Sequence, residues 1–135
     1  MERTLAIIKP DAIKAKYTGK IIDRIEQEGF SVVAITKIHL TKMQAESFYA
    51  VHKDRGFFDA LTTFLASGPI IAMALEKNNA IQDWRTLMGA TDPIKADQNT
   101  LRKLYGASID HNATHGSDAQ ETMEIEINFF FPELQ

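Results

Sequence analysis

The six residues Ile70-Ile71-Ala72-Met73-Ala74-Leu75 are almost wholly apolar, and a short run of that kind reads as a central strand. A central strand needs neighbours on both sides. Thr4 to Lys9 supplies one, a short buried strand ended by Pro10, because the residue before a proline prefers extended geometry. Phe30 to Leu40 supplies another, rich in the Val, Ile and Thr that strands favour.

Helical patterns fill the intervals. Asp11 stands at a helix start. From Gly19 to Gly29, Ile21, Ile22 and Ile25 mark one helical face, with Gly29 placed as a C-cap. Thr41 and Gln44 have capping-box spacing, and Phe48, Tyr49 and His52 follow at helical intervals. After the polar break Lys53-Asp54-Arg55-Gly56, a second amphipathic helix runs from Phe57 to Ala66, with Phe57, Phe58, Leu61, Phe64 and Leu65 apolar, until Ser67-Gly68-Pro69 stops it. Asn79 to Met88 is helical, with Ile81, Trp84 and Met88 on one side. Gly89 to Gln98 is a polar loop long enough to suggest function. Thr100 to Tyr105 and Ala119 to Ile127 read as two further helices, and Phe129-Phe130-Phe131-Pro132 must pack on the core or at a subunit interface. The order is βαββαβ, an α+β sandwich with helices covering a mostly antiparallel sheet.

At 135 residues the chain suits one domain, 1–135. No apolar run approaches the roughly 18 residues of a membrane span, and the N-terminus lacks a secretory pattern, so a soluble, cytoplasmic protein is expected. The absence of cysteine excludes thiolate nucleophiles, disulfides and Cys-based zinc sites. A net charge of −3 argues against non-specific binding to nucleic acid, and an anionic substrate would need cations gathered locally.

Asn112-Ala113-Thr114-His115-Gly116-Ser117-Asp118 concentrates the reactive side chains. It sets an imidazole beside a glycine, a hydroxyl and a carboxylate, with an amide three residues upstream. Gly116 permits close backbone approach or a positive φ. Asp118 is placed to cap the next helix, with Glu121 closing a capping box. The bland alternative is a turn, a capped helix and an incidental histidine. Neither G-x-x-x-x-G-K-[ST] nor G-x-G-x-x-G is present, so a nucleotide site cannot be of Walker or Rossmann type. His111 and His115 are spaced for one helix face, but zincin chemistry would need Glu at position 112, and Gly116 argues against a continuing helix. Ser117 and His115 are too close in sequence to align as nucleophile and base, and no G-x-S-x-G elbow occurs. Lys9, Arg85 and Arg102, taken singly, read as solvated charge, and Phe57 and Tyr49 as core.

Together these segments resemble the nucleoside diphosphate kinase family. Residues 112–118 are similar to its N-x-x-H-G-S-D signature, Ile8-Lys9-Pro10-Asp11 to its first strand exit, and the stretch from Phe48 to Phe58 to its helix hairpin. Ser67-Gly68-Pro69, Leu87 to Pro93 and Thr100-Leu101-Arg102 follow in family order and spacing. The resemblance implies a ferredoxin-like fold with a four-stranded antiparallel sheet. It also implies ping-pong transfer of a γ-phosphate from a nucleoside triphosphate, mainly ATP, to a nucleoside or deoxynucleoside diphosphate. By resemblance His115 becomes the phosphohistidine, Glu126 holds its other ring nitrogen, Ser117 lies next to that carboxylate, and Tyr49 flanks the transferred group. Arg85, Thr91 and Arg102 would grip phosphates, with His52 in reach of one. Lys9 and Asn112 would contact the sugar and phosphate end, and Phe57 would stack on the base with Ile109 near its other face. Mg²⁺ would arrive on the nucleotide and not in a protein cage.

Three departures from the family pattern stand out. Gly56 replaces a usual proline, Asp97-Gln98-Asn99 lacks the Pro-Gly that precedes the threonine matched by Thr100, and the chain ends at Gln135 without a longer tail. They favour a bacterial-type enzyme and a dimer-based tetramer, with a hexamer as the other possibility. The competing classes are a non-catalytic ferredoxin-like nucleotide-binding module, which would predict loss of His115, Arg102 or Lys9, and a phosphohistidine carrier with a protein acceptor.

Overall fold

The computed structural model describes residues 1–134 and contains β1 (Glu2–Ile8), α1 (Pro10–Lys14), α2 (Thr18–Gln27), β2 (Ser31–Ile38), α3 (Lys42–Phe48) and α4 (Phe58–Leu65). These are followed by β3 (Ile70–Lys77), α5 (Ala80–Met88), α6 (Leu101–Tyr105), β4 (Thr114–Gly116) and α7 (Gln120–Phe130). The strands form one antiparallel sheet in the order β2-β3-β1-β4, the ferredoxin-like arrangement expected. The expected strand over Thr4–Lys9 begins earlier and gives way at Lys9, which leads into α1 with Pro10 at its first turn. The C-terminal helix runs on to Phe130, so Phe129 and Phe130 belong to it and Phe131 is buried beyond it. Gln135 lies outside the described residues.

β1 from Leu5 to Ile8 and β3 from Ile70 to Leu75 are apolar because both of their faces are covered there. Side chains alternate across a strand. Ala6 and Ile8 therefore join Met73 and Leu75 under α2 and α5, in a core closed by Ile21, Ile25, Phe30 and Trp84. Leu5 and Ile7 join Ala72 and Ala74 on the opposite face, under α3, α4 and α7, with Phe48, Leu65, Met123 and Ile127. Strand β2 lies at the edge and is covered incompletely, so Val33 and Ile35 are exposed. A register shift between Val32 and Ala34 interrupts its pairing with β3, a bulge of the kind common at sheet edges.

The helix ends follow local chemistry. Thr41 Oγ1 accepts from Gln44 N at 3.1 Å and Gln44 Oε1 accepts from Thr41 N at 2.9 Å, the reciprocal box expected. Gly29 follows α2 with φ +92°, which an L side chain adopts only under strain. Asp118 does not cap α7. Thr122 Oγ1 accepts from the N–H groups of Asp118 and Ala119, at 3.2 and 2.9 Å, the reach back to the helix start expected of Glu121. Among the described residues, no helix is long and apolar enough to cross a membrane.

Candidate active site

β4 is three residues long, and its register decides the site. His115 lies opposite Ile7 and Thr114 opposite Ile8, so the imidazole emerges beside the end of β1, where Lys9 leaves the sheet. The chain enters β4 through a tight turn. Ala113 has φ +75°, the Thr114 N–H donates to the Asn112 carbonyl at 2.9 Å, and Ala113 itself is fully buried. A left-handed alanine is strained and persists only where its surroundings enforce it. Here Asp11 Oδ2 accepts from Ala113 N at 3.1 Å, and Ala113 O accepts from Lys9 N at 2.8 Å. Helix α1 therefore holds the turn that aims His115.

Gly116 is required by crowding, not by a positive φ. A Cβ there would collide with the Trp84 indole and with Met88 Cε. Trp84 is fully buried and its indole N–H donates to His115 O at 3.1 Å, fixing the backbone of the histidine from behind.

The ring is fixed as firmly. Glu126 Oε1 lies 3.0 Å from His115 Nε2, and the same oxygen accepts from Ser117 Oγ at 2.9 Å. Ser117 is buried and its hydroxyl accepts in turn from Leu5 N at 3.2 Å. A carboxylate only accepts, so the proton of a neutral ring sits on Nε2 and the lone pair on Nδ1. The rings of Phe48 and Tyr49 pack edge-on at 5.4 and 5.9 Å between centroids.

His115 opens into a cleft of about 730 Å³. Lys9, Arg85, Arg102, Thr91, Asn112 and Asp118 line it on one side, and Tyr49, His52, Phe57 and Ile109 also face it. All of the expected nucleotide contacts are thus brought to one cavity, while Glu126 and Ser117 stand behind the histidine. The cations that looked scattered in sequence are gathered locally. Lys9 Nζ donates to Asn112 Oδ1 at 3.0 Å, and Asn112 Nδ2 to Thr91 O at 3.1 Å. Burial pushes the Lys9 ammonium down to about 8, helped by Arg102 and opposed by Asp11 and Asp110. Arg102 donates to Gly89 O at 3.0 Å and Thr114 O at 2.9 Å, while its Nε is buried without a partner among the described residues. Burial, with Arg85 adding to it, lowers its guanidinium to about 10, still charged at neutral pH. Tyr49 is pushed well above the usual phenol range by burial and by Glu126, so its hydroxyl stays a neutral donor. Arg85 pairs with Asp118, the carboxylate expected to cap α7.

Other features escape a reading of the sequence. Ala60, Leu61 and Phe64 of α4 join Phe57 in facing the cleft, although their spacing marks only an apolar helix face. His111 is stacked on Phe64, with centroids 4.2 Å apart and planes 13° from parallel. It is not placed with His115 for a metal, and among the described residues no three His, Cys, Asp or Glu side chains group as ligands.

Comparison with known proteins gives the family. Residues 2–135 match the family model described as nucleoside diphosphate kinase. The nucleoside diphosphate kinase of Geotalea daltonii is 56% identical over 135 residues, covering 100% of this chain and 98% of that one. The crystal structure of the Aquifex aeolicus nucleoside diphosphate kinase superposes with a TM-score of 0.96 at 42% identity, covering 98% of this chain and 96% of that one. The halophilic enzyme from Halobacterium salinarum, solved in complex with CDP, gives 0.92 at 39% identity over 96% of this chain and 87% of that one. The chain belongs to the nucleoside diphosphate kinase family, phosphotransferases that pass a γ-phosphate between nucleotides through a phosphohistidine.

Proposed function

We propose that His115 Nδ1 is the phosphoryl acceptor and that the cleft residues bind the nucleotide as the family resemblance implies. The observation that carries this reading is the Glu126–His115 contact at 3.0 Å, which occupies Nε2 and leaves Nδ1 as the nucleophile at the cleft. Nδ1 forms a bond to the γ-phosphorus as the bond from phosphorus to the β,γ-bridging oxygen breaks, and a nucleoside diphosphate departs. The ring then carries positive charge, which the Glu126 carboxylate balances across Nε2. A second nucleoside diphosphate attacks the phosphohistidine and reverses the sequence.

Phosphoryl transfer asks for positioning and charge stabilisation more than for acid–base chemistry. Arg102, anchored to two carbonyls at the cleft wall with N–H groups to spare, is a preset donor for phosphate oxygens, and Arg85 and Thr91 complete the grip. The neutral Tyr49 hydroxyl donates to the group in transfer, and His52, between Tyr49 and Phe57, lies within the same wall. Lys9 and Asn112 hold the sugar hydroxyl and phosphate end. Phe57 and Ile109 flank the base, and stacking tolerates any base. Mg²⁺ comes bound to the nucleotide phosphates and neutralises part of their charge.

The exposed edge of β2 supports self-association, since an uncovered strand edge with apolar side chains invites pairing. A dimer-based tetramer is the assembly we favour, and light scattering separates it from a hexamer. The cysteine-free sequence fits the reducing cytoplasm.

The test of the function is incubation with γ-labelled ATP and Mg²⁺, followed by a GDP chase. Acid-labile, alkali-stable label on the protein that moves quantitatively to GTP is expected. Label that forms and stays would indicate a carrier with another acceptor. No label at all would leave only a nucleotide-binding module.

A further inference from the structure

His111 and Phe64 join the two sides of the slot in which the base is proposed to lie. On one side, α4 presents Phe57 at its start and Phe64 near its end to the cleft. On the other, residues 107–111 form a braced loop with Ile109 exposed on it. His111 O accepts from Ala107 N at 2.8 Å and Ser108 N at 3.2 Å, and His111 N donates to Ser108 Oγ at 3.1 Å. A loop tied to itself in this way shifts as a body, carrying Ile109 with it. Beyond His111, Asn112 fixes the loop to Lys9 and Thr91, at the phosphate end. The face-to-face contact of the His111 and Phe64 rings, at 4.2 Å, links the loop to α4.

We propose that the His111–Phe64 stack is the spacer that sets the width of the nucleobase slot, so that both residues act on base affinity while leaving the phosphate grip alone. The inference rests on the reading of Phe57 and Ile109 as the base clamp. His111 is a positioning residue here: its ring faces Phe64, and its effect reaches the base through Ile109. Aromatic pairs contribute modestly, so truncating one partner should weaken base-dependent binding by about 2- to 12-fold.

The test compares ADP with pyrophosphate, which lacks base and sugar, by titration calorimetry on the full chain. The wild type is expected to bind ADP more tightly than pyrophosphate, and failure of that difference would overturn the base clamp itself and the spacer with it. Given that difference, His111→Ala should weaken ADP by the stated factor and leave pyrophosphate unchanged, while His111→Phe, which keeps a stacking ring without its nitrogens, should restore ADP binding. Phe64→Leu should reproduce the loss, and the double variant should add little to either single change. Equal weakening of both ligands, or no weakening of either, would overturn the spacer. Failure of His111→Phe to rescue would overturn it too, because the imidazole nitrogens would then be contacting the nucleotide directly.

Discussion

His115 and Arg85 each pair with a carboxylate at the same cleft, and the two pairs are built differently. The His115–Glu126 pair, at 3.0 Å, has side chains only 15% and 14% exposed, and Ser117 and the backbone of β1 back it. The side chains of the Arg85–Asp118 pair are 45% and 71% exposed, and solvent screens much of its attraction. The first pair is braced on both sides, with Ser117 Oγ on Glu126 and the Trp84 indole N–H on the His115 carbonyl, which favours a single geometry. The second can exchange its carboxylate for a phosphate at small cost. A fixed nucleophile and an exchangeable grip suit a site that must receive a triphosphate, release a diphosphate and accept another.

The largest effect should come from the inner pair. His115→Ala is expected to reduce protein labelling by γ-labelled ATP to background while the circular dichroism of the fold and measurable ADP binding persist. Turnover above background would place the nucleophile elsewhere. Glu126→Gln comes next. A carboxamide that donates to Nε2 would move the ring proton to Nδ1, and single-turnover phosphorylation should slow by about 10²–10⁴-fold, as for other imidazoles held in the wrong tautomer. Arg102→Ala should slow transfer by tenfold or more, since a hydrogen bond to a charged group contributes roughly 1.5–3 kcal/mol. An unchanged rate in stopped-flow would make Arg102 a structural tie between Gly89 and Thr114 and nothing more.

Lys9 gives a pH signature. Its ammonium is held down to about 8 in the folded chain, against 10.5 as the ordinary value. Between those two values the unfolded state binds more protons than the folded one, so the stability of the nucleotide-free protein should rise with pH over that interval. If ADP calls on the charged form, as proposed, its affinity should fall by about tenfold between pH 7 and 9. Lys9→Met should flatten both trends, and a pH profile that survives the substitution would assign it to another group. The smallest effect is expected at the outer pair, where Asp118→Asn should change thermal stability by less than about 1 kcal/mol. A larger loss would mean that the exposed pair is held as tightly as the buried one and would remove the contrast between them.

Much of the fold is legible because the sheet writes its burial into composition. The central segments of β1 and β3, Leu5 to Ile8 and Ile70 to Leu75, are apolar on both faces and β2 is not, and Thr41–Gln44 and Gly29 mark helix ends by local rules that hold. The site is legible as a motif and hardly at all as geometry. Lys9 meets Asn112 across 103 residues and Arg85 meets Asp118 across 33, and spacing along the chain carries no record of such encounters. Asp118 shows where local rules fail: Thr122, not Glu121, reaches back to the N–H groups at the helix start, and the aspartate pairs with a distant arginine. Gly116 does mark a point of close approach, but the group that approaches is the Trp84 indole, a core residue and no ligand. The apolar positions of α4 follow from its periodicity, yet a helical period cannot tell a core face from a cleft wall.

The strand order has a consequence for how the molecule is made. β1 is synthesised first and ends in the middle of the sheet, yet its partners β3 and β4 begin at residues 70 and 114. At about 5–20 residues per second, the apolar segment Leu5–Ile8 waits several seconds on the ribosome before β3 exists to pair with it. The proposed site is completed later still, since Glu126 lies on α7. A nascent chain of this kind is an apolar strand in need of shelter long before it is an enzyme.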